Sequence, residues 1–216
     1  MSAEKDMNMA DERGTNRLEA FSDGVFAIAV TLLVLDIKVP EVEGQAGSLV
    51  LTDALLMQWP AYASYALSFI TIGILWANHH RVYANIVRTN HSYLIMNVVY
   101  LMLVGVFPFP TAMLSKYIED VDKQAVVTQI YTGLSLLISI VHMVSWTYAS
   151  RSGHLLREGT DPKWARGIDV RNRVGLSLFG LCFLLSFVSI YASLGLFCLM
   201  VLFYLLPGRL TGIDRR

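Results

Sequence analysis

The sequence predicts an all-α membrane protein, one domain over residues 1–216 whose apolar runs cross a bilayer six times. Three observations carry that reading. Of the 216 residues, 55% are hydrophobic and 16% charged, and mean hydropathy is +0.51. That is too apolar for a soluble domain and too short for several membrane domains. The apolar residues fall in runs of about 20, the length a helix needs to cross roughly 30 Å of hydrocarbon. Positive charge gathers between alternate runs.

Taken in order, the first span is expected over about 18–38 and the second over about 54–77, where Pro60 either starts or kinks the helix and the segment "ILWANHHRVY" ends it. The third is expected over about 90–113, closing with "FPFP", since Pro108 and Pro110 discourage further regular helix. The fourth covers about 125–148. From 174 to 207 the apolar stretch is too long for one crossing and short for two, which reads as a tight hairpin of spans 174–191 and 195–207 turning near Ser193, Leu194 and Gly195. Residues 149–173 form a loop whose alternating charges suit a short surface helix. No fixed-period repeat or low-complexity tract interrupts this plan.

Of the 17 Lys and Arg, Lys38, Lys116 and Lys123 fall on one side of this six-span plan and the other 14 on the side of the termini. The positive-inside rule places both termini, and loop 149–173, in the cytoplasm. The opposite loops carry Asp36, Glu41, Glu43, Asp53, Glu119, Asp120 and Asp122, a net acidic face that attracts cations or is simply solvated. The first sixteen residues are polar and mixed in charge, so a cleaved signal peptide is not expected. Cys182 and Cys198 sit within apolar runs, where a thiol behaves as a small hydrophobe and no disulfide framework is implied.

The first span is the most informative. It enters the membrane as "RLEAFSDG", carrying Arg17, Glu19, Ser22 and Asp23 across the threshold. At about 100° per residue, Ile28, Thr31, Leu32 and Leu35 form one stripe that extends down through Phe21 and Gly24. Asp23 lies roughly 140° from Ile28, on another face. An Asp in a span is expensive unless paired, and is a functional candidate by default. The second span returns to the same depth with Trp76, Asn78 and His79, and the third leaves it with Asn97 about two turns in. A polar cluster of these residues with Arg17, Ser22 and Asp23 would satisfy the carboxylate, and such a cluster serves to lock a bundle as readily as to do chemistry. His79 and His80 are adjacent and point apart, with no third ligand placed. No metal site is expected.

These residues meet a known pattern. "RLEAFSDG" carries an R-x-x-x-F-S-D signature, and with "WANH" closing the second span the chain resembles the transmembrane protein 175 family of potassium channels, in particular the bacterial single-repeat members. The layout of the whole chain agrees, and the two motifs agree in detail. The resemblance implies a homotetramer around an axial pore lined by the first helix, with Ile28 at the constriction and Thr31 and Leu35 further along the same face. It implies that Arg17, Phe21, Ser22 and Asp23, with Trp76 and His79, support the pore helix.

The expected activity is passive conduction of potassium and related monovalent cations. There is no "TVGYG" filter, so discrimination over sodium would be modest and set by pore width, partial dehydration and the Thr31 hydroxyls. Expected partners are other copies of the chain and membrane lipid, without nucleic acid; no cofactor and no enzymatic activity are expected, and the location is a prokaryotic plasma membrane. Ile and Leu on a membrane helix face lipid or a neighbour as readily as a pore, so the stripe alone leaves other readings open. A secondary cation transporter is the main one, although paired helix breaks in two halves are missing. A membrane enzyme using His79 and Asp23 lacks a convincing nucleophile.

Overall fold

Long apolar segments bounded by prolines, capping side chains and charge become helices in the computed structural model, which describes residues 2–41 and 48–205, with side chains over 15–41 and 50–204. Among the described residues the elements are α1 (Ser2–Leu32), a 3-10 turn (Leu33–Asp36), α2 (Ser48–Met57), α3 (Trp59–Tyr83), α4 (His91–Val106), α5 (Pro108–Tyr117), α6 (Gln124–Arg151), α7 (Pro162–Leu185) and α8 (Ile190–Leu205). Among the described residues, four segments are long and apolar enough to cross a membrane: Thr15–Asp36, Trp59–Tyr83, His91–Tyr117 and Gln124–Arg151. α8 is a shorter apolar helix, and α7 joins a charged first half to an apolar second half.

The helices form a bundle in which α6 packs against α4, α5, α7 and α8, while α1 lies against α3 and α4. The main core is built on Phe26, Ile72, Val104, Phe107, Tyr131, Ile138 and Phe197, all buried. A second core at the arginine-rich end joins Val82, Tyr83, Ile86, Tyr93, Trp146 and Leu155. In the middle of the bundle Thr111 donates to the Ser68 hydroxyl at 2.8 Å, and Tyr131 meets the same hydroxyl at 3.0 Å. This ties α3, α5 and α6 together without leaving a buried hydroxyl unpaired.

The arginine-rich end is fastened by specific caps. Asn90 accepts from the Tyr93 backbone N–H at 2.9 Å, starting α4, and donates to the Tyr148 hydroxyl at 2.8 Å. Asp161 caps α7 through the Lys163 N–H, with Pro162 in the first turn, where its missing N–H is not needed. The connection 152–161 turns at Gly153 and Gly159, whose φ angles of 69° and 79° suit only glycine without strain. It is held to the α3–α4 loop by Val87 N–H to the Leu155 carbonyl and Arg157 N–H to the Asn85 carbonyl.

Several boundaries differ from the sequence expectation. The helix that carries the first span runs back to Ser2, well before the membrane-length segment Thr15–Asp36, and tightens to a 3-10 turn before Ile37. Pro60 starts α3 rather than kinking it, α2 precedes it as a separate helix, and α3 carries on past 77 to Tyr83. "FPFP" interrupts the third span without closing it. The helix breaks at Phe107, and Pro108 and Pro110 occupy the first turn of α5, where no helical partner for their nitrogens exists. The last hairpin turns at 186–189, not at Ser193–Gly195. Ser189 caps α8 by accepting from the Ala192 N–H at 3.3 Å, while Ser193 is buried and donates to the Cys182 carbonyl at 2.7 Å. Part of the expected loop 149–173 is already α7, which begins at Pro162.

Candidate functional site

α1 and the 3-10 turn that continues it have two opposed seams. Thr15, Ser22, Phe26, Ala29 and Leu33 are buried against the rest of the chain, at spacings of seven, four, three and four that keep one helix face inward. The opposite seam is bare. Phe21 is 58% exposed, Ile28 61% and Leu35 62%, with Leu32 at 42%, and Gly24 and Thr31 lie exposed among them. Three large apolar side chains repeating every seven residues present a continuous ridge that the rest of the chain leaves uncovered.

Thr31 spends its hydroxyl proton on the Ile28 carbonyl at 2.9 Å. The oxygen keeps its lone pairs as acceptors at the exposed face. Above it, Lys38 Nζ donates to the Leu35 carbonyl at 2.7 Å, closing the outer end of the 3-10 turn.

Behind the ridge the polar residues separate into two tracks. The inner track is buried: Ser22 donates to the Leu18 carbonyl at 2.8 Å, Asn97 Nδ2 donates to Ser22 Oγ at 3.1 Å, and Asn97 Oδ1 meets His79 Nε2 at 3.0 Å. Because Oδ1 can only accept, His79 carries its proton on Nε2 in this arrangement. The ring is clamped between aromatics, with centroids 4.1 Å from Tyr83 and 5.5 Å from both Tyr100 and Phe26. One helix each from α1, α3 and α4 is thereby locked in rotation and depth.

The outer track runs along the α1–α3 seam. Trp76 Nε1 donates to Asp23 Oδ1 at 2.8 Å, and His80 Nδ1 meets Glu19 Oε1 at 2.8 Å, with the Trp76 and His80 rings stacked at 5.8 Å. Glu19 and Asp23 are one helical turn apart on α1, as are Trp76 and His80 on α3. The helices run antiparallel, so the two rungs share one register.

Of the residues expected in the network, Ser22, Asp23, Trp76, His79 and Asn97 are in it. Phe21 is not; it stands on the bare ridge. Arg17 is exposed and forms no hydrogen bond or ion pair among the described residues. Asn78 faces a different cavity on the far side of α3. The Glu19–His80 rung escaped the sequence reading, although the two i, i+4 pairs of complementary type were visible in it. Among the described residues, no group of three or more His, Cys, Asp or Glu side chains comes together.

The family described as "Endosomal/lysosomal potassium channel TMEM175" matches residues 17–108, which span both tracks and the ridge. A potassium channel from Streptomyces collinus is 40% identical over 190 residues, 88% of this chain and 91% of that protein. A potassium channel from Chamaesiphon minutus is 39% identical over 197 residues, 91% of this chain and 96% of its own. The crystal structure of a lysosomal potassium-selective channel TMEM175 homologue from Chamaesiphon minutus superposes with a TM-score of 0.78 at 38% identity, covering 89% of this chain and 96% of that one. The human endosomal/lysosomal proton channel TMEM175 is 34% identical over 140 residues, only 27% of its length. Matched almost end to end by the short bacterial proteins and to one part of the long animal one, the chain belongs to the TMEM175 family as a single-repeat bacterial member.

Proposed function

We propose that four copies of this chain assemble around an axial pore and conduct potassium passively, with the bare ridge of α1 as the pore wall and Ile28 at its narrowest ring. The single observation that carries this is the ridge itself: Phe21, Ile28 and Leu35 stand uncovered on a helix whose other face is locked by the Ser22–Asn97–His79 track. One subunit has one such ridge and cannot close a ring, so the reading requires an oligomer; fourfold symmetry is drawn from the family. In this arrangement each subunit crosses the membrane six times, the second half of α7 and α8 supplying the last two crossings, with both termini in the cytoplasm.

Aliphatic side chains cannot coordinate an ion. They form a ring that stays dry when tight and wets when wider, so potassium passes partly dehydrated, helped by the lone pairs of Thr31, and preference over sodium is modest. The polar tracks hold the ridge in place. They are not the conduction path. Purified protein in a planar bilayer under opposed potassium and sodium gradients tests the reading. Discrete openings with a reversal potential displaced toward potassium are expected; slow flux coupled to a second ion would replace the channel with a carrier.

A further inference from the structure

A cavity of about 40 Å³ lies inside each subunit, away from the ridge, between α3, α4, α6, α7 and α8. Its polar lining includes Asn78, His142, Arg171, Asn172 and Tyr204, with Phe179 among the apolar walls, and among the described residues no carboxylate lines it. Two buried atoms on that lining, His142 Nε2 and Asn172 Nδ2, have no hydrogen-bond partner within the protein. Arg171 is half-buried and, among the described residues, has no ion pair, while its neighbour Arg173 lies 3.9 Å from Asp169. Buried polar atoms are ordinarily satisfied. Here an amide donor, a ring nitrogen and an unpaired guanidinium converge on one space.

The chemistry of that lining selects its occupant. A guanidinium with an amide N–H is a donor set for tetrahedral oxyanions, and among the described residues of the lining no Asp or Glu competes for the arginine. The space suits about three waters, or a group of similar size. We propose that this cavity binds a phosphate group, with Arg171 and Asn172 as its donors. The proposal rests on the membrane-spanning reading above, which puts the arginine-rich end of the bundle at headgroup depth. There the phosphate is supplied either by an anionic phospholipid, its chains leaving along the apolar wall, or by a free anion from the cytoplasm. A phosphate seated between α3, α7 and α8 clips the last hairpin to the back of the pore-helix support.

The test measures the thermal midpoint of the purified protein in neutral detergent, titrated in one arm with short-chain phosphatidylglycerol and in another with inorganic phosphate, with short-chain phosphatidylcholine as control. Saturable stabilisation by phosphatidylglycerol alone assigns the site to lipid; stabilisation by inorganic phosphate at matched concentration assigns it to the free anion. In either case Arg171→Gln is expected to raise the half-saturating concentration at least tenfold, and Arg173→Gln, already engaged with Asp169, to leave it within twofold. Should Arg171→Gln fail to fold, Asn172→Leu, which removes an unpaired donor without creating one, is expected to weaken binding severalfold in a stable protein. No saturable stabilisation in either arm, or equal losses in Arg171→Gln and Arg173→Gln, overturns the proposal. Potassium flux measured in phosphatidylcholine liposomes checks the channel reading independently, so the two fail separately.

Discussion

The indole of Trp76 donates to the carboxylate of Asp23 at 2.8 Å across the α1–α3 seam. This bond answers why an acidic residue sits where α1 enters its apolar run. Asp23 is turned away from the bare ridge and toward a neutral donor on the next helix, so it anchors the helix without placing its charge on the ridge. Trp76 is 43% exposed, and the bond therefore lies at the edge of the helical bundle rather than within its core. A hydrogen bond to a charged group contributes about 1.5–3 kcal/mol when shielded, and less at a wet edge. Trp76→Phe and Asp23→Asn are each expected to lower the midpoint of heat-induced oligomer dissociation, read by size exclusion. The double variant is expected to be no worse than the poorer single one; full additivity would mean the pair is not coupled.

Asn97 is the hinge of the buried track. Asn97→Leu leaves both Ser22 Oγ and His79 Nε2 without that partner, at about 1–3 kcal/mol for each buried group. The expected outcome is a larger loss of assembled oligomer than Trp76→Phe produces, with current lost in proportion to assembly. Currents that fall in channels of normal assembly would place Asn97 in permeation instead.

The ridge residues give the sharpest functional test. Ile28→Asn is expected to lower the barrier to wetting, raise single-channel conductance and weaken discrimination of potassium over sodium. In a background lacking the exposed Cys198, Ile28→Cys is expected to be blocked by small thiol reagents. Ala29→Cys, at a position 1% exposed on the packed seam, is expected to resist them. Unchanged conductance and selectivity in correctly assembled Ile28→Asn would remove the ridge from the conduction path.

Thr31→Val keeps the shape of the side chain and removes the oxygen. Since the hydroxyl proton is held by the Ile28 carbonyl, the oxygen's contribution would come from its lone pairs alone, so potassium preference is expected to fall with little change in assembly. Reversal potentials under bi-ionic conditions report it.

Reporter tags at residue 1, within 151–161 and at 216 are expected to be cytoplasmic, and tags near Glu43 and Asp120 outside. A reporter pattern placing the two termini on opposite sides would break the six-crossing arrangement.

Hydropathy and charge, read along the chain, determined that this is a helical membrane protein, where most of its apolar segments lie and which α1 residues share a stripe. These are one-dimensional properties: length against bilayer thickness, a period of 3.6, and the cost of moving arginine across hydrocarbon. The depth at which Asp23, Trp76, His79 and Asn97 meet was legible for the same reason. Partner choice was not. Which of Asn78 and Asn97 joins His79, and whether Asp23 meets an indole or an imidazole, depends on how α1, α3 and α4 are rotated about their axes, and that rotation is set by packing of Phe26, Tyr83 and Tyr100 far apart in sequence. The hairpin between α7 and α8 was misplaced because hydropathy barely changes across 186–195. Only the tertiary structure, by burying Ser193 against the Cys182 carbonyl and freeing Ser189 to cap α8, decided where the chain turns.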